Sequence, residues 1–319
     1  MGEPARKLDQ EIGAEARTAP RASAYVCIDV FSDHNFWTGL SMNISEGGVF
    51  IATHHDVPVG TTIVLHMSLP FEEQPFFAEK IVQLPGCYHA NDTRRGIAPQ
   101  TPSRSELGLP EQGFVFCCFN QCYKIAAPVF DVWMRLLAQV PGSVLWLSDM
   151  NDLAQANLRR VAAARGVAPD RIVFAPYAVR TEDYLARQRA ADLFLDTLPY
   201  NAHSTTCDAL FAGLPVVTCS GSTFPGRVAA SMLKAAGLPE LVTHNLDDYE
   251  ALALRLAADP ALLSSLRRKL ADNRATCALF DGERFCRGIE AAYTTMWDRY
   301  RRGERPRGFR ADPSAQART

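Results

Sequence analysis

The stretch LDTLPYNAHSTTCDALFAGLPVVT, residues 195–218, opens and closes on short apolar runs. With its neighbours the first run is DLFLD (192–196) and the second is PVVTC (215–219). Each has the length and content of a buried strand. Between them, His203, Ser204, Thr205 and Thr206 stand just before CDALFAG, whose apolar spacing is helical. Strand, helix, strand is the unit of a parallel sheet, because parallel neighbours need a long crossover.

The same rhythm extends in both directions. Upstream, FVFCCF (114–119) precedes the helix PVFDVWMRLLAQV (128–140), with Pro128 suited to a first turn. SVLWLS (143–148) precedes NDLAQANLRRVAAARG (151–166), which offers an Asn or Asp cap and a Gly stop. RIVFA (171–175) precedes TEDYLARQRA (181–190). Downstream, helices are expected over 226–236, 247–257, 260–273 and 282–301. The fold class is therefore α/β, a Rossmann-like lobe with a parallel sheet and helices on both faces.

The front of the chain differs. YVCIDVF, GLSMNI, GVFIAT and TTIVLHMSL are short β-branched runs separated by turn residues, expected to form a small antiparallel β domain. The expected organisation is a disordered N-terminus (1–22), the β domain (23–76), a connecting segment (77–112), the α/β lobe (113–302) and a disordered tail (303–319), rich in Arg, Pro and Gly.

Composition narrows the function classes. The chain has 319 residues, 47% hydrophobic and 21% charged, enough to bury a core without staples. A net charge of −2 argues against a nucleic-acid binder relying on bulk positive charge. Nine cysteines without a CxxC pair read as free thiols in a reducing compartment, with no metal site. The first twenty residues lack the apolar core of a secretory signal, and no run is long enough for a membrane helix. The expected location is cytoplasmic, with no membrane or nucleic-acid partner.

Chemistry is expected where the 192–196 strand meets the next helix. Ligands of open α/β sheets bind at the carboxyl ends of the strands. A helix's first turn has free N–H groups and partial positive charge, and it holds phosphate without a lysine. Ser204, Thr205 and Thr206 add hydroxyls there, and Asp208 lies one turn in, within reach of a ribose hydroxyl. The arrangement suits a nucleoside diphosphate. Plain N-capping by Ser204 or Thr205 is the alternative. The GxGxxG and GxxxxGK[ST] patterns of other nucleotide sites do not occur.

LFLDTLPYNAHSTTCDALFAGLPVVT also resembles the donor-site signature of the protein O-GlcNAc transferase (SPINDLY-like) family. EKIVQLPGCYHANDTRR, FVFCCFNQCYKIAAPVFDVWMRLLAQVPGSVLWL, RIVFAP and GRVAASMLKAAGLPELV are similar to that family in the same order, over about residues 77–302. The resemblance implies the C-terminal lobe of a GT-B glycosyltransferase that binds UDP-GlcNAc without a metal or other cofactor and modifies Ser or Thr of a protein acceptor. The family's Asn-Gln-x-Tyr-Lys motif stands here as NQCYK, implying Gln121 and Lys124 as donor contacts. Lys124 is the implied catalytic group, stabilising charge on departing UDP. His203, Ser204 and Thr205 match the diphosphate-binding His-Thr-Thr, Asp208 the ribose-binding aspartate, and Arg187 an arginine near the uridine. Tyr184 stands where a histidine is usual, and it can still stack on a base. Gly226 replaces a usual serine.

The family's TPR repeats and acceptor-facing lobe are not among these matches. Their place is taken by MNISEGGVFIAT and PVGTTIVLHMSLP, which resemble a PilZ domain. That resemblance implies cyclic di-GMP binding through Arg17 and Arg21, then Asn43, Ser45 and Gly48. Paired arginines suit phosphates and guanine faces; a simple turn between strands at SEGG, with no ligand, is the alternative. Two functions follow: a donor-binding half of an O-GlcNAc transferase under cyclic di-GMP control, or a catalytically inactive UDP-sugar-binding or cyclic di-GMP-sensing module.

Overall fold

The computed structural model describes residues 80–312, together with the backbone of two strands, β1 (Val26–Asp29) and β2 (Thr62–Leu65). β1 and β2 pair antiparallel, Val26 opposite Leu65 and Asp29 opposite Thr62. Both fall within runs expected to be strands. The other strands of the front domain, and Arg17, Arg21, Asn43, Ser45 and Gly48, lie outside the described residues.

From residue 113 a six-stranded parallel sheet is built from β4 (Val115–Cys118), β5 (Val144–Ser148), β6 (Ile172–Ala175), β7 (Leu193–Leu195), β8 (Val216–Cys219) and β9 (Val242–Thr243). Its order is β6-β5-β4-β7-β8-β9. Every residue of β4, β7 and β8 is buried, whereas the edge strands β6 and β9 are only partly so. That is why the central strands read as unbroken apolar runs: helices cover both faces.

The helices are α1 (Ala127–Gln139), α2 (Asp152–Ala164), α3 (Thr181–Arg187), α4 (Ser204–Ala212), α5 (Val228–Ala235), α6 (Leu246–Ala258), α7 (Pro260–Asn273) and α8 (Gly282–Arg301). The side chains of Asn151, Asn245, Asp259 and Asp281 cap α2, α6, α7 and α8, each accepting a backbone N–H from the first turn. α4 ends on Gly213, which takes φ +88 and so closes the helix where a side chain would be strained. The segment expected as a helix from 226 begins instead with a 3-10 turn, Pro225–Arg227.

Within the expected connecting segment, residues 80–112 are bonded onto the lobe: Asn91 donates to Leu279 O (2.7 Å), Arg104 pairs with Asp192 (2.7 Å), and Ala98 N donates to Glu182 O. Residues 303–312, the described part of the expected tail, include a strand. Phe309–Arg310 forms strand β10, parallel to β3 (Val82–Gln83), with Phe309 N bonded to Ile81 O and Ala311 N to Gln83 O. Each of these strands satisfies the other's backbone, a partnership that neither two-residue stretch reveals alone.

Candidate functional site

The strand order reverses between β4 and β7, and in an open α/β sheet ligands bind in the crevice outside the carboxyl ends of the strands at such a point. The loop after β4 carries Asn120, Gln121 and Lys124; the loop after β7 carries Asp196 to His203 and runs into α4. Two segments that are remote in sequence thus meet at one place.

Asp196 organises the second loop. It is fully buried, and its Oδ1 accepts from Thr197 N (2.7 Å) and Ala202 N (2.6 Å), while Oδ2 accepts from the Thr218 hydroxyl (2.6 Å). Burial raises its pKa to about 7 despite these bonds and despite the Lys124 charge. Asn201, also buried, donates to Thr197 O (2.7 Å) and Cys219 O (3.3 Å). Tyr249 OH donates to Asp196 O (3.0 Å) and accepts from Trp133 Nε1 (3.2 Å), so α6 and α1 brace the same loop. A Cβ at Gly226 would lie 2.9 Å from Pro199 O, so the neighbouring loop can approach only with glycine there.

Lys124 lies at the end of a 3-10 turn, Cys122–Lys124, with Gln121 exposed at its cap. Its ammonium donates to Asn201 O (3.1 Å) and sits 4.0 Å from the Tyr200 ring centroid. Desolvation lowers its pKa, and Asp196 opposes that. Tyr200 in turn stacks on His203, centroids 5.2 Å apart. Burial first, then Lys124, lowers the His203 pKa. The ring hydrogen-bonds the Pro225 backbone, and its Nε2 is buried without a partner among the described residues.

His203, not Ser204 or Thr205, occupies the cap position of α4, and no side chain caps this helix. Ser204 is exposed as the first helical residue, and Thr205 Oγ1 reaches across to Asn120 Oδ1 (2.5 Å). The plain capping alternative is therefore overturned. No side-chain cap bond takes up the first-turn N–H groups of α4, and this end of the helix is joined to the Lys124 loop through the Thr205–Asn120 bond and the His203–Tyr200 stack. Asn120 is held by its own bond to Thr197 Oγ1 (2.7 Å). α1, α3 and α5 also lack side-chain caps, so the distinction of α4 is its position at the β4/β7 crossing.

Asp208, one turn in, pairs with Arg95 Nη1 (2.5 Å) from the 77–112 segment. The Arg95 guanidinium also lies 5.0 Å from the centroid of Phe211. Tyr184 is half-buried, and its phenol is pushed up by burial and then by the charge of Asp208. Arg187 is 7% exposed, donates to Pro176 O (2.5 Å), and lies over the rings of Phe119 and Tyr184. Desolvation lowers its pKa. It props the Tyr184 ring and offers little exposed guanidinium to a ligand.

Lys124, Asn120, His203, Ser204 and Thr205 thus form one cluster, and Asp208, Tyr184, Arg187 and Arg95 a second, linked along α4. Reading the residues alone misses Asn120, Asp196, Asn201 and Arg95. Asn120 adjoins Gln121 in the NQCYK motif and is within reach of such a reading. Arg95 has no local signal, since its partner is 113 residues away.

Comparison with known proteins follows the same residues. The model of glycosyl transferase family 41 matches residues 89–289. A probable UDP-N-acetylglucosamine–peptide N-acetylglucosaminyltransferase of Arabidopsis thaliana, SEC, is 37% identical over 247 residues, 76% of this chain and 25% of that protein. The UDP-N-acetylglucosamine–peptide N-acetylglucosaminyltransferase of Caenorhabditis elegans is 38% identical over 63% of this chain and 17% of that protein. Among solved structures, a mutant O-GlcNAc transferase of Thermobaculum terrenum superposes with a TM-score of 0.56 at 34% identity, covering 63% of this chain and 37% of that one. The chain spans a quarter or less of the length of these two curated relatives.

Proposed function

The chain belongs to glycosyl transferase family 41, and on that premise we propose that its α/β lobe is the donor half of a protein O-GlcNAc transferase, binding UDP-GlcNAc in the β4/β7 crevice. The observation that carries this reading is the first turn of α4, free of any side-chain cap and linked to the Lys124 ammonium through the His203–Tyr200 stack. Those N–H groups, with Ser204, Thr205 and Gln121, take the diphosphate. Asp208 takes the ribose, exchanging part of its contact with Arg95 for a hydroxyl. Tyr184, backed by Arg187, takes the uracil face.

In the transfer, a Ser or Thr hydroxyl of the acceptor protein forms a bond to C1 of the sugar. The bond from C1 to the β-phosphate oxygen breaks, and its electron pair leaves with UDP. Lys124 and the α4 dipole stabilise that charge where it develops. The half-buried surroundings of Lys124 strengthen the interaction, because little water screens it. The acceptor proton passes to a base that this lobe is not proposed to supply. Much of the barrier is met by holding the hydroxyl in line with C1, which in this family is the work of a facing lobe. Donor binding and stabilisation of the leaving UDP are the parts of this reaction proposed for the lobe.

Calorimetric titration with UDP and UDP-GlcNAc, run beside a donor-hydrolysis assay and radiolabel transfer to a lysate, tests this. Absence of binding would refute the donor site. Robust label on Ser or Thr would refute the need for a facing lobe.

The antiparallel pairing of β1 with β2 supports a second proposal, that residues 23–76 form a PilZ-like domain. Arg17, Arg21, Asn43, Ser45 and Gly48 would then bind cyclic di-GMP and regulate the lobe. Titration of the full chain and of Arg21→Ala with cyclic di-GMP tests it; no heat at high micromolar ligand would refute it.

A further inference from the structure

α8 has three flanks. Gly288, Ala291 and Ala292 are buried against the lobe, with Gly288 close to Pro85. Glu283, Arg287, Glu290, Thr294, Asp298 and Arg301 follow one another at helical spacing on a polar flank. The third flank holds Tyr293 (62% exposed), Met296 (39%), Trp297 (59%) and Tyr300 (74%), spaced i, i+3, i+4, i+7. Trp297 and Tyr300 stack at 5.6 Å, forming one aromatic surface. An apolar stripe of this size at the end of a helix marks a contact surface.

Basic charge adjoins it. Residues 299–310, RYRRGERPRGFR, hold six arginines and one acid. Among the described residues that acid, Glu304, pairs with Arg302 and Arg307. Arg299 lies over the Phe309 ring, and Arg310 donates to Gln83 Oε1. Arg301 and Arg305 have no carboxylate partner among the described residues.

The segment tethered to this place has the opposite charge. Residues 22–79 contain seven acids and no lysine or arginine, together with six phenylalanines and Trp37. The described lobe begins at Lys80 and Ile81, where Ile81 O receives Phe309 N and a Cβ at Gly308 would lie 3.1 Å from that oxygen. Glu72 and Glu73 are seven or eight residues upstream of Lys80, a reach of about 25 Å when extended. The stripe itself is only about 10 Å long.

We propose that residues 22–79 of this same chain dock on the aromatic flank of α8. Their aromatic residues cover Tyr293, Met296, Trp297 and Tyr300, and their acids face the arginines of 299–310. Opposite charge sets the orientation, and apolar burial supplies most of the affinity. The short tether makes the contact intramolecular and hence favoured by a high effective concentration.

Hydroxyl-radical footprinting of the full chain, read by mass spectrometry at single residues, tests this. Tyr177, 81% exposed in the loop after the edge strand β6, serves as the internal reference for an open tyrosine. Docking predicts that Tyr293 and Tyr300 are modified about tenfold more slowly than Tyr177, and equally so across a hundredfold dilution. Arg301→Glu combined with Arg305→Glu should bring both rates up towards that of Tyr177. Raised salt applied to the parent chain should do so in part, a measurement that needs no variant. Rates equal to that of Tyr177 in the parent would overturn the proposal. Protection that disappears on dilution while light scattering reports a dimer would also overturn it, assigning the stripe to a second copy.

Discussion

Replacing Asp196 by asparagine should change how the stability of this protein depends on pH. The carboxyl is fully buried at the end of β7, and its pKa rises from 3.8 to about 7, chiefly through desolvation. In the unfolded chain it ionises near 3.8; in the folded chain it keeps its proton until about pH 7. Between those values the folded state binds one more proton than the unfolded state, so stability falls as pH rises and levels off above about 7. Three pKa units correspond to about 4 kcal/mol, of which about 2 kcal/mol falls between pH 5 and pH 7. The asparagine side chain of the variant cannot ionise. It still accepts from Thr197 N and Ala202 N through one oxygen, while its amide group faces the Thr218 hydroxyl. Urea unfolding of parent and Asp196→Asn at pH 5, 6, 7 and 8 measures the effect. The variant should gain on the parent by about 2 to 3 kcal/mol across that series. Parallel curves would refute the argument, because they would mean that Asp196 is already ionised at pH 5. In a Lys124→Met background the window should extend upward, since the Lys124 charge holds the Asp196 pKa down.

Lys124→Met should abolish donor turnover, by about two or more orders of magnitude, while UDP binding weakens far less; equal loss in both would place Lys124 in ground-state binding only. Asp208→Ala should weaken UDP about tenfold or more with the fold intact by circular dichroism, and unchanged affinity would count against the ribose assignment. Because burial and Lys124 keep His203 neutral in the free protein, an arriving diphosphate should raise its pKa and draw a proton. UDP affinity then falls as pH rises through the histidine range. Calorimetry in two buffers of different ionisation heat should show net proton uptake that His203→Asn removes, and zero uptake in the parent would rule this out.

Much of the lobe was legible because the central strands are buried on both faces and so read as unbroken apolar runs. Helices with side-chain caps or a Pro start announced their ends: Pro260–Asn273 and Gly282–Arg301 fall where their sequences suggest. The start of α4 was legible as a place but not in detail. Its cap position falls on His203, and Thr205 bonds instead to Asn120, a partner that belongs to another loop. Asp196 reads as an ordinary strand end; its burial depends on Thr218 from β8 and Tyr249 from α6. Arg95 lies in a segment without periodicity, and only the fold brings it to Asp208.

The clasp of β3 with β10 brings residues 82 and 309 side by side, while Gln83 and Arg310, 227 positions apart in the chain, share a side-chain bond. A lobe whose first and last elements are neighbours has no preferred starting point. Such a body can be inserted whole into a loop of another protein, or cut open elsewhere and rejoined by a short peptide across the clasp, without disturbing its sheet. Modularity of this kind lets one lobe be carried behind different front segments, with the clasp as the seam where the exchange is made.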